Sequence, residues 1–95
     1  MITVIVHFRA KEGNRSALRA ALGPAVPHLK DLKGCTGGGL YNDIEDPELF
    51  VLVEHWESED AHKAFLNRIE EDGTMDGLRP LLVGDPERRY LTAGV

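Results

Sequence analysis

The segment FVLVEHWESEDAH, residues 50–62, brings three side chains capable of chemistry close together in the sequence. Glu54 can accept a proton, and Trp56 can stack on an aromatic ring while its indole N–H donates a hydrogen bond. His62 can act as an acid or a base near neutral pH. Together these residue types suit the removal of a proton from a small aromatic hydroxyl compound.

Each of the three also has a structural interpretation, which the sequence leaves open. Trp56 suits an aromatic residue of a core or an interface. Glu54 suits an ion pair with Arg88 or Arg89, because a buried carboxylate must be paired or protonated. His62 suits a structural or surface histidine whose ring nitrogens are satisfied by neighbours.

Two further candidates lie on other predicted strands. His7 falls on the mixed face of the first strand, where it would line the barrel cavity that His62 also reaches and act as a second base, or serve as a structural histidine. Tyr41 would hydrogen-bond a substrate oxygen or pair with a neighbouring strand. His28 is expected to face solvent, and His55 alternates with Glu54 and therefore cannot share its face.

The composition is typical of a soluble globular protein, with 42% hydrophobic and 28% charged residues among 95. This length predicts one domain over residues 1–95. The formal net charge of −5 comes from 16 acidic and 11 basic residues. It argues against nucleic-acid binding, which needs a basic surface.

The sequence also predicts a location and the absence of several kinds of site. Its one cysteine, Cys35, cannot form an internal disulfide, and this predicts that the protein is located in the reducing cytoplasm. The sequence contains no Cys/His cluster that would indicate a metal site. The N-terminal MITVIVHFRA has no basic region before its apolar run, so we do not expect a signal peptide. No apolar stretch approaches the ~20 residues of a membrane span.

Four strands are predicted to carry these side chains. Residues 2–9 and 49–56 are rich in β-branched and aromatic residues and are apolar on both faces or nearly so. Residues 35–48 predict a strand and a turn, in which Gly37–Gly39 indicate a bulge or a close backbone approach. Residues 87–92 predict a closing strand.

Two helices are predicted between the strands. Apolar residues three and four apart predict a helix over residues 14–32, with a kink or a break near Gly23–Pro24. A second helix begins after its N-cap, Ser58, and is followed over residues 72–84 by a loop with a short helical turn. His62 is expected at the edge of the buried stripe of this helix, which contains Ala61, Phe65, Leu66 and Ile69.

The resulting order β-α-β-β-α-β predicts an α+β, ferredoxin-like fold with a four-stranded antiparallel sheet. Two helices cover only one face of such a sheet, yet two of the strands are apolar on both faces. A second copy of the sheet is the simplest cover for the other face. We therefore expect a homodimer, or a higher oligomer, in which two sheets form a dimeric α+β barrel.

The helix leading into KGC and the segment LFVLVEHWESEDAHKAFLNR resemble the antibiotic biosynthesis monooxygenase domain family. The signature is Glu54, any residue and Trp56 at a strand end, followed by an acidic helix start with the sequence SEDA. The resemblance covers nearly the whole chain. It implies a dimeric α+β barrel and places the chain beside small oxygenases of quinols and polyketide aromatics that need no flavin or metal.

Departures from the family patterns bear on activity. Haem-degrading members carry an Asn on the first strand and a Trp and a His on or beyond the second helix, whereas the nearest positions here hold Val6 or His7, Phe65 and Met75. Many quinol-type members have a His where Phe65 stands. Members that oxidise polyketides resemble this chain around Trp56, with a Tyr at the position of His62 and an Asn at that of Leu52.

These observations predict a cofactor-independent monooxygenase that oxidises a small phenolic, quinol or polyketide-type aromatic with dioxygen. The alternatives are a non-catalytic dimeric barrel that binds a small apolar ligand and, third, a haem-degrading monooxygenase. No cofactor, metal, nucleic acid or membrane is expected as a partner. The predicted catalytic residues are His7, His62 and Glu54, and the predicted substrate-binding residues are Trp56, Tyr41, Phe65 and Leu52.

Overall fold

A computed structural model describes residues 1–93 and arranges them in the predicted β-α-β-β-α-β order. The strands pair antiparallel throughout, in the spatial order β2-β3-β1-β4, so the predicted ferredoxin-like α+β fold is confirmed. The elements are β1 (Ile2–Arg9), α1 (Arg15–Leu22), a 3-10 helix (Gly23–Asp31), β2 (Cys35–Asn42), β3 (Leu49–Trp56), α2 (Glu59–Glu71), α3 (Thr74–Leu78), a 3-10 turn (Arg79–Leu81) and β4 (Glu87–Leu91).

The two faces of the sheet have different environments. Along β1, Val4, Val6 and Phe8 are buried beneath the helices, whereas Ile5 and His7 between them are only half-buried. The register carries this alternation across the sheet, because residues paired side by side project to the same face. We call these the helix-covered face and the open face.

The first helical region is divided, as predicted. α1 ends at Leu22, and the chain continues as a 3-10 helix that contains Pro24 and Pro27. Proline has no N–H to donate and clashes with the preceding turn, so a regular α-helix does not continue through this segment.

Ser58 caps α2 as predicted, because its Oγ accepts a hydrogen bond from the Ala61 N–H at 3.1 Å.

β2 departs from regular geometry at its glycines, as the sequence indicates. Its register with β3 shifts between Cys35 and Gly37, which is the predicted bulge. A Cβ at position 38 would lie 2.1 Å from the carbonyl oxygen of Val53, so only glycine allows this close approach to β3.

Among residues 1–93, no helix is long and apolar enough to cross a membrane.

Candidate functional site

A cavity of about 470 Å³ lies between the helix-covered face and the helices. Its wall is largely apolar: Val6, Phe8 and Leu52 come from the sheet, and α2 contributes a row of larger side chains. Polar side chains interrupt this wall at a few places only, so an occupant would contact mainly hydrocarbon surface. The α2 row consists of Phe65, Leu66 and Ile69, and the polar side chains are Glu54, His62, Thr74 and Arg88.

The register of the sheet explains why the polar groups meet. Val4 of β1 pairs with Glu54 of β3 on one side and with Tyr90 of β4 on the other. Both side chains therefore project from the helix-covered face, with Val4 between them. His62 projects from α2 toward these two side chains. Its Nε2 lies 3.5 Å from Glu54 Oε1, and its Nδ1 lies 2.9 Å from the Tyr90 hydroxyl.

Trp56 completes this group, which we call the His62 cluster: Glu54, Trp56, His62 and Tyr90. The Trp56 Nε1–H donates to Glu54 Oε1 at 3.3 Å, and the edge of the His62 ring packs against the indole at 5.2 Å between centroids. Glu54 and His62 are 2% and 1% exposed, so both polar groups depend on these partners. Two members of the cluster, Glu54 and His62, line the cavity.

The two carboxylate oxygens of Glu54 differ in their surroundings. Trp56 and His62 both approach Oε1. Within residues 1–93, no side chain or backbone group forms a hydrogen bond with Oε2. Because Glu54 also lines the cavity, Oε2 is the oxygen free to receive a hydrogen bond from an occupant.

Positive charge lies beside the cluster. Arg88 lines the cavity from β4, and its guanidinium carbon is 4.8 Å from the centre of the Tyr90 ring. Burial raises the pKa of the Tyr90 hydroxyl, and the Arg88 charge acts in the opposite direction. Arg88 pairs with Val6, two residues from Val4, so it projects from the same face as Tyr90.

The structure brings five of the predicted site residues together. Glu54, His62, Phe65 and Leu52 line the cavity, and Trp56 lies behind Glu54. His62 is the most buried residue of α2 rather than an edge residue of its stripe, so that expectation was wrong. The reason is that Tyr90 forms a hydrogen bond with Nδ1 and Glu54 places a carboxylate oxygen 3.5 Å from Nε2, so polar partners face both ring nitrogens.

Two predicted site residues lie elsewhere. His7 pairs with Val51 and Glu87 and projects from the open face, on the opposite side of the sheet from His62. Tyr41 also projects from the open face and is 60% exposed. The expectation that His7 and His62 reach one cavity is therefore not met.

The predicted ion pair of Glu54 with Arg88 or Arg89 does not form among the described residues of the single chain. The partners of Glu54 are Trp56 and His62, and Arg89 lies on the open face opposite Ile5.

Tyr90 was missed by sequence reasoning. The signal that identifies it is the pairing of β4 with β1, which places residues 88 and 90 on the helix-covered face.

The remaining chemical groups do not add to the site. Cys35 is buried, and burial raises the pKa of its thiol. In the part of the chain that the structure describes, no three His, Cys, Asp or Glu side chains are grouped as metal ligands.

Comparison with known proteins places the chain in a family and among solved structures. The family model described as antibiotic biosynthesis monooxygenase matches residues 1–70. No curated protein sequence matches the chain significantly.

Three solved structures illustrate the likeness. One is a protein of Deinococcus radiodurans provisionally named an antibiotic biosynthesis monooxygenase, which is 23% identical with a TM-score of 0.83 over 100% of this chain and 94% of its own. A Bordetella bronchiseptica protein of the same provisional name is 22% identical, with a TM-score of 0.85 over 99% and 97% of the two chains. A Mycobacterium tuberculosis protein is 23% identical, with a TM-score of 0.82 over 99% and 95%. At these identities the likeness establishes the fold.

Proposed function

The chain belongs to the antibiotic biosynthesis monooxygenase family, and from this premise we propose that it oxidises a small phenolic or quinol-type aromatic with dioxygen, without flavin or metal. The observation that carries the proposal is Glu54, whose side chain lines a largely apolar cavity and whose Oε1 accepts the Trp56 N–H while Oε2 is free. A base in a water-poor cavity suits a weakly acidic hydroxyl group.

The aromatic body of the substrate would lie along the apolar wall. Leu52 and Val6 offer a flat surface from the sheet, and Phe65 faces them from α2. Such a pocket binds a planar hydrocarbon ring by burial of apolar area. The hydroxyl end would then point toward the His62 cluster, the polar end of the cavity.

Glu54 is the proposed general base. Its Oε2 takes the hydroxyl proton, while the Trp56 N–H and His62 hold Oε1 in place. Trp56 is thus a positioning residue rather than a surface for stacking. Arg88 lies where its charge favours the anion formed from the substrate.

The chemistry balances without a separate reductant. For 1-naphthol, the anion gives electrons directly to dioxygen, one oxygen atom becomes the new quinone carbonyl, and the other leaves as water. The carbon–hydrogen bond para to the hydroxyl is lost, and the substrate supplies all four electrons. The protein's part is the base, the orientation and the exclusion of water.

The wall of the cavity also supports the second candidate, a non-catalytic barrel that binds a small apolar ligand. Apart from its few polar groups, the lining is aliphatic or aromatic. The haem alternative receives no such support, because Phe65 and Met75 stand where haem-degrading members carry a Trp and a His.

Two wider parts of the proposal concern the assembly and its location. The open face carries Ile5, Val51 and Val53, half-buried in the single chain, which supports a homodimer that pairs two such faces. We place the protein in the cytoplasm, for which the lone Cys35 is the support.

Oxygen uptake with a panel of naphthols and quinols tests the proposal. We expect consumption of dioxygen in step with quinone formation, and a loss of about tenfold in kcat for His62→Gln, which removes a contact to Glu54 Oε1 but leaves the base in place. His28→Gln is the matched control, because His28 is exposed on the 3-10 helix. Binding of naphthol with no oxygen uptake, and no effect of His62→Gln on binding, would instead establish the non-catalytic alternative.

A further inference from the structure

Tyr90 is the member of the His62 cluster that no pattern in the sequence singles out. It lies on the edge strand β4 and pairs with Val4, which on its other side pairs with Glu54. Its hydroxyl lies 2.9 Å from His62 Nδ1, and the two rings meet edge to face at 5.5 Å and 84°. The contact is therefore both a short hydrogen bond and an aromatic packing interaction.

The hydrogen-bond partners of His62 assign its tautomer. A neutral imidazole carries a hydrogen on one nitrogen and a lone pair on the other. Nε2 faces Glu54 Oε1, the oxygen that also accepts the Trp56 N–H, so the hydrogen belongs on Nε2. Nδ1 then needs a donor, and the group in contact with it is the Tyr90 hydroxyl.

The surroundings of Tyr90 keep its hydroxyl a donor. Burial raises the pKa of Tyr90, and the negative charge of Glu59 acts in the same direction. Arg88 lowers it, and the Lys63 ammonium also lies near, 5.8 Å from the ring centre. Because burial is the largest of the causes, the phenol keeps its hydrogen at neutral pH.

We propose that Tyr90 is a positioning residue whose hydroxyl donates to His62 Nδ1 and so fixes the single hydrogen of His62 on Nε2, directed at Glu54. Its catalytic consequence rests on the proposed function. The Nε2–H is then directed at Oε1 of Glu54, 3.5 Å away, and this leaves Oε2 as the oxygen that receives the substrate proton. Tyr90 acts through His62 and does not itself touch the substrate.

Nitrogen NMR of the full ¹⁵N-labelled chain reads the tautomer directly, in the absence of any substrate. The chain has four histidines, so Gln variants of His7, His28 and His55 assign the fourth set of signals to His62. At pH 7 we expect the wild-type His62 to carry hydrogen on Nε2 alone. Tyr90→Phe should shift the Nδ1 signal toward a mixed or doubly protonated ring, whereas Tyr41→Phe, the same change on the open face, should not.

The outcomes separate this inference from the proposed function. Hydrogen on Nδ1 or on both nitrogens of the wild type, or an unchanged tautomer in a folded Tyr90→Phe, overturns the role of Tyr90. If Tyr90→Phe does not fold, the wild-type tautomer alone decides. The expected tautomer in a protein that oxidises no substrate would overturn the proposed function and leave the role of Tyr90 standing.

A kinetic measurement gives the catalytic consequence. We expect Tyr90→Phe to lower kcat about tenfold, the effect of one lost hydrogen bond, with KM changed little. A rise in KM with kcat unchanged would place Tyr90 in substrate binding and contradict its action through His62.

Discussion

Gly34 and Ala61 lie in direct contact, so that a Cβ at position 34 would lie 2.8 Å from the Cβ of Ala61. The backbone of Gly34 has φ +87°, and its carbonyl oxygen accepts a hydrogen bond from the Glu57 N–H at 2.7 Å. Ala61 immediately precedes His62. The contact therefore sets how closely the start of α2 approaches the sheet, and with it the depth of His62.

Gly34→Ala is expected to destabilise the protein more than Gly13→Ala. Both glycines have φ near +85°, where a side chain is strained by about 1 kcal/mol. Nothing lies within 4 Å of a Cβ at position 13, whereas at position 34 it overlaps Ala61, which adds about 1–3 kcal/mol. Urea unfolding of both variants measures the difference, and equal losses would show that α2 can move away without cost.

Strand alternation predicted much of this arrangement. Alternation along residues 49–56 puts Phe50, Leu52 and Trp56 on one face, and in the structure that face meets the helices. Alternation alone does not tell which of two apolar faces the helices cover, because both faces of β1 and β3 carry apolar side chains. His7 was for this reason predicted to lie at the same cavity as His62, although the sheet separates them.

The His62 cluster could be predicted only in part. Helical periodicity counts apolar residues, so it ranked His62 below Ala61 and Phe65 as a buried residue. The burial of His62 depends on two polar partners, Glu54 and Tyr90, that lie 8 and 28 positions away in the sequence. Tyr90 could not be found, because the register of the edge strand β4 is not encoded in its own five residues.

Glu54→Gln should abolish most of the proposed activity while the fold is kept. The amide oxygen still accepts from Trp56, and the side chain has nearly the same shape, but it cannot take a proton. We expect kcat for naphthol oxidation to fall about 10²- to 10⁴-fold. Glu71→Gln, an exposed position at the end of α2, is the control, and comparable activity of the two variants would remove Glu54 as the base.

Arg88→Gln should lower the rate of oxidation by a smaller factor than Glu54→Gln does, and this loss should depend on the salt concentration. Arg88 lines the cavity but is exposed, so water screens its charge and we expect a loss of about three- to tenfold in kcat/KM. The loss should shrink as ionic strength rises. Arg89→Gln makes the same change one residue along on the open face. An equal loss in both variants would argue that net charge, and not position beside the cavity, is responsible.

Val53→Asp should convert the proposed dimer into monomers. Val53 projects from the open face between Ile5 and Gly39, its neighbours in the register, and it is half-buried in the single chain. A carboxylate there would remain solvated in a monomer but would lose its water, without a partner, between two sheets. Val83→Asp is the matched control, because Val83 is 56% exposed in the loop before β4. Light scattering at micromolar concentration should report a dimer for the wild type and for Val83→Asp, and a monomer for Val53→Asp. A monomeric wild type, or a dimer that survives Val53→Asp, would mean that the open face is not where two copies meet.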